Sequence, residues 1–142
     1  MYKVLIINGS PRENGNTSIA VSEVAKTLKD DGIEPLVVKL GSDNIRGCIA
    51  CGYCFKNGKC VFNDKVNELS KIFEEVDGLI VASPVYYASA NATLIATLDR
   101  LFYSSHFDMR FKVGASIVVA RRGGCSSTFD ELNKYFTISG MQ

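Results

Sequence analysis

The chain alternates between unbroken apolar runs and stretches in which apolar residues recur every three or four positions. The unbroken runs are rich in β-branched residues, which is typical of strands buried on both faces. They predict strands over residues 4–7, 34–40, 79–83 and 113–120. The periodic stretches predict four helices. The first begins after Thr17 and ends at Asp31-Gly32, and the second covers residues 64–76. The third follows Asn91, its N-cap, and the fourth covers residues 128–139.

This order of elements predicts an α/β fold with a parallel sheet, right-handed crossovers and helices on both faces. We expect residues 1–142 to form one domain, with a Cys-rich loop over residues 47–60 inserted between the second strand and the following helix. Ligands of such sheets bind beyond the carboxyl ends of the strands, where the strand order reverses. The loops after the first, third and fourth strands are therefore the candidate site.

The loop after the first strand reads Gly9-Ser-Pro-Arg-Glu-Asn-Gly-Asn-Thr17 and leads directly into a helix. Backbone N–H groups, Ser10, Asn16 and Thr17 at a helix N-terminus predict an anion site, most naturally for a phosphate, with Arg12 as a further contact. The Walker pattern and Gly-x-Gly-x-x-Gly are both absent, so a terminal monophosphate fits better than a triphosphate or a dinucleotide. An ordinary N-capped turn is the alternative.

The other two loops carry aromatic and cationic side chains. After the third strand, Tyr86 and Tyr87 offer flat faces with polar tips that suit a planar ring, although packing on the flanking helix is an alternative. After the fourth strand, Arg121-Arg-Gly-Gly124 offers two cations and close approach of the backbone, as a solvated turn also would. Together the three loops predict a site that holds a phosphate at one end and an aromatic ring at the other.

Four cysteines follow the pattern Cys48-x2-Cys51-x2-Cys54-x5-Cys60, within thirteen residues. This continuous spacing indicates iron–sulfur ligation more than a zinc ribbon, which has two separated Cys-x2-Cys pairs. A zinc knuckle, a redox disulfide and a loop without metal remain open. We expect the fifth cysteine, Cys125, to be a packing or exposed residue, and the single histidine, His106, to be solvated. No catalytic side chain is predicted.

The composition narrows the class of partner. Mixed charges with a net charge of +1 do not indicate nucleic acid or a membrane surface, and no apolar run reaches the length of a membrane span. The first strand begins at about residue 2, so we expect no signal peptide and a cytoplasmic protein. In that reducing compartment, cysteines favour metal or redox chemistry over disulfides.

The three loops and the cysteine run resemble the flavodoxin-like NAD(P)H-dependent FMN reductases over essentially the whole chain, and in particular their iron–sulfur flavoprotein branch. The resemblance implies a three-layer sandwich with strand order 2-1-3-4, normally followed by a fifth strand that is apparently missing here. It implies that the first loop binds the FMN phosphate and the other two enclose the isoalloxazine. The implied FMN contacts are Ser10, Pro11, Arg12, Asn16, Thr17, Ser18, Pro84, Val85, Tyr86, Tyr87, Arg121, Arg122, Gly123 and Gly124.

The same resemblance implies a 4Fe-4S cluster on Cys48, Cys51, Cys54 and Cys60, although flavin reductases without a cluster carry similar loops. A fifth parallel strand would begin only at Gly140, so either the chain is truncated or the fourth strand has an exposed edge. We therefore expect a homo-oligomer, a dimer or tetramer as in the family.

The expected function is an FMN-dependent oxidoreductase with NAD(P)H as electron donor, in which the flavin supplies the redox chemistry and Tyr86 and Arg122 tune it. One alternative is an electron carrier that relays single electrons through cluster and flavin, with a ferredoxin-like donor and no small substrate. The other is a non-redox module that binds zinc.

Overall fold

The computed structural model, which describes residues 1–142, contains five strands and five helices. The strands are β1 (Lys3–Asn8), β2 (Glu34–Lys39), β3 (Gly78–Tyr86), β4 (Ser89–Ala90) and β5 (Val113–Val119). The helices are α1 (Asn16–Asp30), α2 (Tyr53–Asn57), α3 (Lys65–Glu75), α4 (Ala92–Ser104) and α5 (Cys125–Ile138). None of the helices combines the length and the apolar character that crossing a bilayer requires.

Four of the strands are parallel and lie in the order β2-β1-β3-β5. The predicted order is confirmed, because β5 is the fourth strand that the sequence predicted. The remaining strand, β4, was not predicted, since two residues are too few to form a pattern. It pairs antiparallel with the end of β3, where Val85 lies opposite Ala90. Gln142 makes two backbone hydrogen bonds to Lys112 and Gly114 at the start of β5, in the pattern of a parallel pair.

The sheet separates two apolar clusters, because successive residues of a strand point to opposite faces. Leu5 and Ile7 of β1 point into the larger cluster, which α3, α4 and α5 cover, whereas Ile6 points into the smaller cluster, which α1 covers. The helices contribute Val66, Leu69, Phe73, Leu94, Leu98, Leu101, Leu132 and Phe136 to the larger cluster. Helices therefore lie on both faces, as predicted.

Two predicted boundaries are wrong for identifiable reasons. The third strand was predicted to end at residue 83, but β3 continues to Tyr86 because β4 pairs with its last residues. The last helix was predicted to begin at residue 128, but α5 begins at Cys125, directly after Gly124. The predicted irregular stretch over residues 41–63 contains one short helix, α2, enclosed between Gly52 and Gly58, which both have left-handed backbone conformations.

Candidate functional site

The loops after β1, β3 and β5 open at the same edge of the sheet. Asn8 pairs with Ala82, and Ala82 in turn pairs with Ile117, so the carboxyl ends of these three parallel strands lie at one edge. The N–H of Gly9 donates to the Ala82 carbonyl at 2.8 Å. A Cβ on Gly9 would lie 2.8 Å from the Leu94 Cβ, so only glycine lets the first loop pass this close to α4. The structure thus brings the three predicted loops to one edge.

Buried polar side chains hold the first loop in shape. Asn8, which is 1% exposed, donates from Nδ2 to Ser18 Oγ at 3.0 Å and accepts from the Ser10 N–H at 2.9 Å. Ser10 Oγ accepts from the Arg12 N–H at 3.2 Å, and Ser18 Oγ donates to the Arg12 carbonyl at 3.3 Å. The loop is thus tied to the first turn of α1 at several points. The sequence analysis did not identify Asn8 as a residue that shapes the site, although its polar side chain at the end of a buried strand was a possible signal.

The N-terminus of α1 has no side-chain cap. Its N-cap, Gly15, makes no side-chain hydrogen bond, and the first backbone bond into the helix runs from the Ile19 N–H to the Gly15 carbonyl. In contrast, α3 and α4 are capped by the side chains of Asp64 and Asn91. The N–H groups of the first turn of α1, at the positive end of the helix dipole, are therefore available to an anion.

The residues predicted for the first loop divide into buried and exposed groups. Ser10, Thr17 and Ser18 are buried, and the Thr17 hydroxyl makes no hydrogen bond within the protein. Pro11, Arg12 and Asn16 are exposed. Hydroxyls therefore line the inside of the loop, and a cation with no ion-pair partner lies at its rim.

The third-strand loop, predicted over residues 84–90, is a hairpin. Pro84, Val85 and Tyr86 belong to β3, and the chain reverses at Tyr87 and Ala88, with φ of 52° and 59°. Two central residues with positive φ define a type I′ turn, which normally takes Asn and Gly. Non-glycine residues in this conformation store strain of a kind that clusters at binding sites. Tyr86 is 45% exposed and Tyr87 is fully exposed.

A carboxylate on α5 holds this hairpin. Glu131 accepts from the Ser89 hydroxyl at 2.9 and 3.0 Å and from the Ala90 N–H at 2.8 Å. The Ser127 hydroxyl, one turn earlier on the helix, donates to the Ala88 carbonyl at 2.8 Å. The sequence did not indicate this anchor, because Glu131 lies 42 positions from Ser89.

The fourth-strand loop lies against the hairpin tip. Gly124 has φ of 90°, and a Cβ there would lie 2.8 Å from the Ala88 Cα. Arg121, Arg122 and Gly123 are exposed beside it. The structure therefore joins the second and third predicted loops into one surface with two free cations at its edge.

Two large cavities lie away from this edge. One, of about 500 Å³, lies between α4 and α5, and the other, of about 610 Å³, lies at the amino ends of β1, β3 and β5. No residue predicted to bind a cofactor lines either cavity. The candidate site is thus the open edge formed by the three loops.

The four clustered cysteines line one small cavity of about 30 Å³. Cys48 and Cys51 are exposed, Cys54 and Cys60 are half-buried, and all are free thiols. No three His, Cys, Asp or Glu side chains form a group that could hold a metal ion. The structure therefore gathers the thiols around one space without closing them into a ligand set. The fifth cysteine, Cys125, is exposed at the start of α5.

A buried arginine that sequence reasoning missed lies beneath the cysteine loop. Arg100 of α4 is 1% exposed, and its guanidinium donates to Cys60 Sγ and to the Asp64 carboxylate. Burial alone would lower the pKa of Arg100, but the hydrogen bonds to Asp64 and Cys60 outweigh it and raise that pKa above its ordinary value. No pattern marked this residue, because an arginine on an amphipathic helix normally faces solvent.

Comparison with known sequences finds flavin reductases and flavoproteins. A family model described as NADPH-dependent FMN reductase matches residues 2–142. An iron–sulfur flavoprotein of Methanocaldococcus jannaschii is 37% identical over 142 residues, which cover 98% of this chain and 74% of that protein. Iron–sulfur flavoproteins of Archaeoglobus fulgidus (39% identical; 82% of this chain, 54% of that protein) and Methanosarcina thermophila (33%; 98% and 75%) are also similar.

Solved structures support the fold. An NADH:FMN oxidoreductase in its apo form superposes with a TM-score of 0.72 at 23% identity, covering 100% of this chain and 71% of that one. An archaeal flavodoxin superposes with a TM-score of 0.66 at 15% identity, covering 99% and 76%. The architecture is therefore flavodoxin-like.

Proposed function

The chain belongs to the NADPH-dependent FMN reductase family, and on that premise we propose that it is an FMN-dependent oxidoreductase that takes electrons from NAD(P)H. The observation that carries the proposal is the loop between β1 and α1. Its polar groups are ordered by their own hydrogen bonds, while the helix N-terminus that it leads into has no cap. Such a loop suits the phosphate of a flavin mononucleotide.

The groups present fit a phosphate. The N–H groups of the first turn of α1 and the unpartnered Thr17 hydroxyl are donors that no protein acceptor uses. Ser10 Oγ accepts one hydrogen bond and keeps its own proton to donate. Arg12, exposed at the rim, can approach a dianion without first breaking an ion pair. We assign the phosphate to these residues, with Pro11, Asn16 and Ser18 shaping the loop.

The hairpin and the fourth-strand loop are the proposed ring site. Bound FMN supplies the redox chemistry, because its isoalloxazine accepts hydride or single electrons. Tyr86 and Tyr87 offer aromatic faces at the hairpin tip, while Arg121 and Arg122 lie beside the closely packed Gly124. Their role is to orient the ring, limit access of water and place positive charge near it.

We further propose that Cys48, Cys51, Cys54 and Cys60 are the ligands of a 4Fe-4S cluster. The donor set supports this, because four thiols face one cavity, and the Arg100 Nε–H and the Ala50 N–H donate to Cys60 Sγ and Cys48 Sγ. Hydrogen bonds to sulfur are typical of iron–sulfur sites. Such a cluster would let single electrons from a ferredoxin-like protein enter as well, so the electron-carrier role remains the second candidate. Assembly into a dimer or tetramer remains a prediction.

Anaerobic purification followed by titration with FMN tests the main proposal. We expect flavin fluorescence to be quenched on binding, and saturating FMN to stabilise the fold by about 3 kcal/mol at a hundredfold excess over Kd. NADH or NADPH should then bleach the flavin absorbance. If FMN changes neither the fluorescence nor the melting temperature, the proposal is wrong. Reduction by reduced ferredoxin but by neither nicotinamide would favour the carrier.

A further inference from the structure

A single guanidinium ties both ends of the cysteine loop to α4. On the side before the first cysteine, Arg100 Nη1 donates to the Arg46 carbonyl at 3.2 Å. On the side after the last, Nη2 donates to the Phe62 carbonyl at 3.5 Å, and both Nη atoms donate to the Asp64 carboxylate at 2.8 Å. Nε donates to Cys60 Sγ at 3.3 Å. Fixing both ends of a long loop removes much of the entropy that would otherwise oppose its ordering.

Only arginine can make this set of contacts. A guanidinium has five N–H donors in a rigid fork, and here five hydrogen bonds lead from Arg100 to the loop and to Asp64. Asp64 is itself fixed, because its Oδ1 accepts from the Val66 N–H as the N-cap of α3. The buried charge is therefore paired and held from two helices, α3 and α4.

The four cysteines differ in how firmly they are held. Asn67 of α3 accepts from the Cys60 N–H at 2.9 Å and donates to the Cys60 carbonyl at 3.1 Å, so Cys60 is fixed through its backbone and its sulfur. Cys48 Sγ has only a local contact from the Ala50 N–H, and the sulfurs of Cys51 and Cys54 accept no hydrogen bond within the protein. Of the four, Cys60 is thus the one that hydrogen bonds to other elements of the fold hold in place.

We propose that Arg100 is a positioning residue for the cysteine site. It holds Cys60 as a fixed ligand, onto which the less constrained thiols close, and it keeps an N–H donor on that sulfur when the site is loaded. The identity of the loaded group, a 4Fe-4S cluster, rests on the proposed function. That Arg100 fixes the loop depends only on its hydrogen bonds within the protein.

Substitution of Arg100 by Lys tests the proposal, because lysine keeps the charge but cannot make five hydrogen bonds in a fork. Arg110→Lys is the matched control, since Arg110 also makes a forked pair, with Asp108, but is exposed and lines the cavity at the amino ends of the strands, not the cysteine cavity. We expect Arg100→Lys to bind FMN normally and to lose iron to a chelator on the order of tenfold faster than wild type. Its cluster should have a more negative midpoint potential, because a hydrogen bond to sulfur is lost. Arg110→Lys should match wild type in all three measurements.

Wild-type rates of iron loss and an unchanged potential in Arg100→Lys would overturn the proposal. If that variant also fails to retain FMN, its fold is damaged, and Asp64→Asn replaces it, since asparagine keeps the N-cap while removing the carboxylate. We expect Asp64→Asn to lose iron faster than wild type as well. Wild-type iron retention in Asp64→Asn would equally overturn the proposal.

A readout without metal separates this inference from the proposed function. In metal-free protein, Arg100→Lys should speed amide hydrogen exchange across residues 46–62, but not in the loop after β1. If wild type proves to bind no iron, the cluster assignment fails while this exchange experiment still decides the role of Arg100. Equal exchange in the two proteins would show that the arginine does not position the loop.

Discussion

The loop after β1 and the cysteine loop are built in opposite ways. The first is held by contacts among near neighbours, such as Asn8 with Ser18, ten positions apart, and both of these side chains are buried. The second has two exposed thiols and depends on Arg100, which lies 40 positions from Cys60. The first loop therefore has its shape before a ligand arrives. The second is anchored at its ends, and we infer that its ligand completes it.

This difference has an energetic reason. Hydrogen bonds between close neighbours in sequence close only short loops, so they cost little entropy and form with the adjoining helix. A metal-binding loop gains its ordering free energy from the ligand bonds themselves, and coupling between binding and ordering is common at such sites. Each loop can accordingly be disrupted without the other.

The largest expected effect is loss of the proposed cluster on removal of one of its proposed ligands. Cys54→Ser should reduce iron per chain by on the order of tenfold or more, because a four-thiolate site loses one bond to metal. FMN content should stay at the wild-type level, since no residue of the first loop lines the cavity that Cys54 lines. Iron, sulfide and flavin assays on anaerobically purified protein measure this. Cys125→Ser is the control, and equal iron loss in both variants would contradict the assignment.

The next effect concerns the preformed loop. Asn8→Ala leaves the Ser10 N–H and the Ser18 hydroxyl without their buried partner. We expect destabilisation by about 1–3 kcal/mol, the cost of the unsatisfied Ser10 N–H, because the Ser18 hydroxyl keeps its hydrogen bond to the Arg12 carbonyl. FMN binding should weaken as well. Urea denaturation and fluorescence titration measure the two effects. Asn14→Ala, at an exposed position of the same loop, should change neither. Similar losses in both variants would mean that the loop is not preorganised by Asn8.

A smaller effect is expected where the fourth-strand loop meets the hairpin. Gly124→Ala places a Cβ 2.8 Å from the Ala88 Cα at a φ of 90°, and a strained left-handed residue of this kind costs about 1–3 kcal/mol. Gly123→Ala is matched, because nothing lies within 4 Å of a Cβ at Gly123. We expect Gly124→Ala to lower thermal stability and FMN affinity, and Gly123→Ala to leave thermal stability unchanged. Iron content should be unchanged in both, and a loss of iron would contradict the independence of the two regions.

The smallest effect should come from the exposed ion pair between Arg110 and Asp108, the counterpart of the buried pair between Arg100 and Asp64. Hydrogen bonds from Arg110 lower the pKa of Asp108 from 3.8 to about 2. Because the folded-state pKa is depressed, the pair contributes stability above pH 3.8, and this contribution is lost as the pH falls towards 2. Melting temperatures of wild type and Asp108→Asn should differ slightly at pH 5 and converge near pH 2. A difference that grows on acidification would show that the pair does not act this way.

The sequence by itself determined the features that depend on near neighbours. Uninterrupted β-branched runs marked four strands of a parallel sheet, whose order the family resemblance implied, and helical periodicity marked α1, α3, α4 and most of α5. The polar composition of the first loop and the four-cysteine spacing lie within short segments, so they could be read directly. The hairpin at Tyr87 could not be predicted from the sequence, because its turn residues are not those that type I′ turns prefer.

Only the tertiary structure decided which distant residues support these loops. Arg100 meets Cys60 and Asp64, Glu131 meets the hairpin at Ser89, and Gly124 meets Ala88. The members of these pairs lie tens of positions apart, and helical or strand periodicity does not predict contacts between such distant residues. They meet because parallel strands bring successive crossover segments back to the same edge of the sheet, where packing selects the contacts.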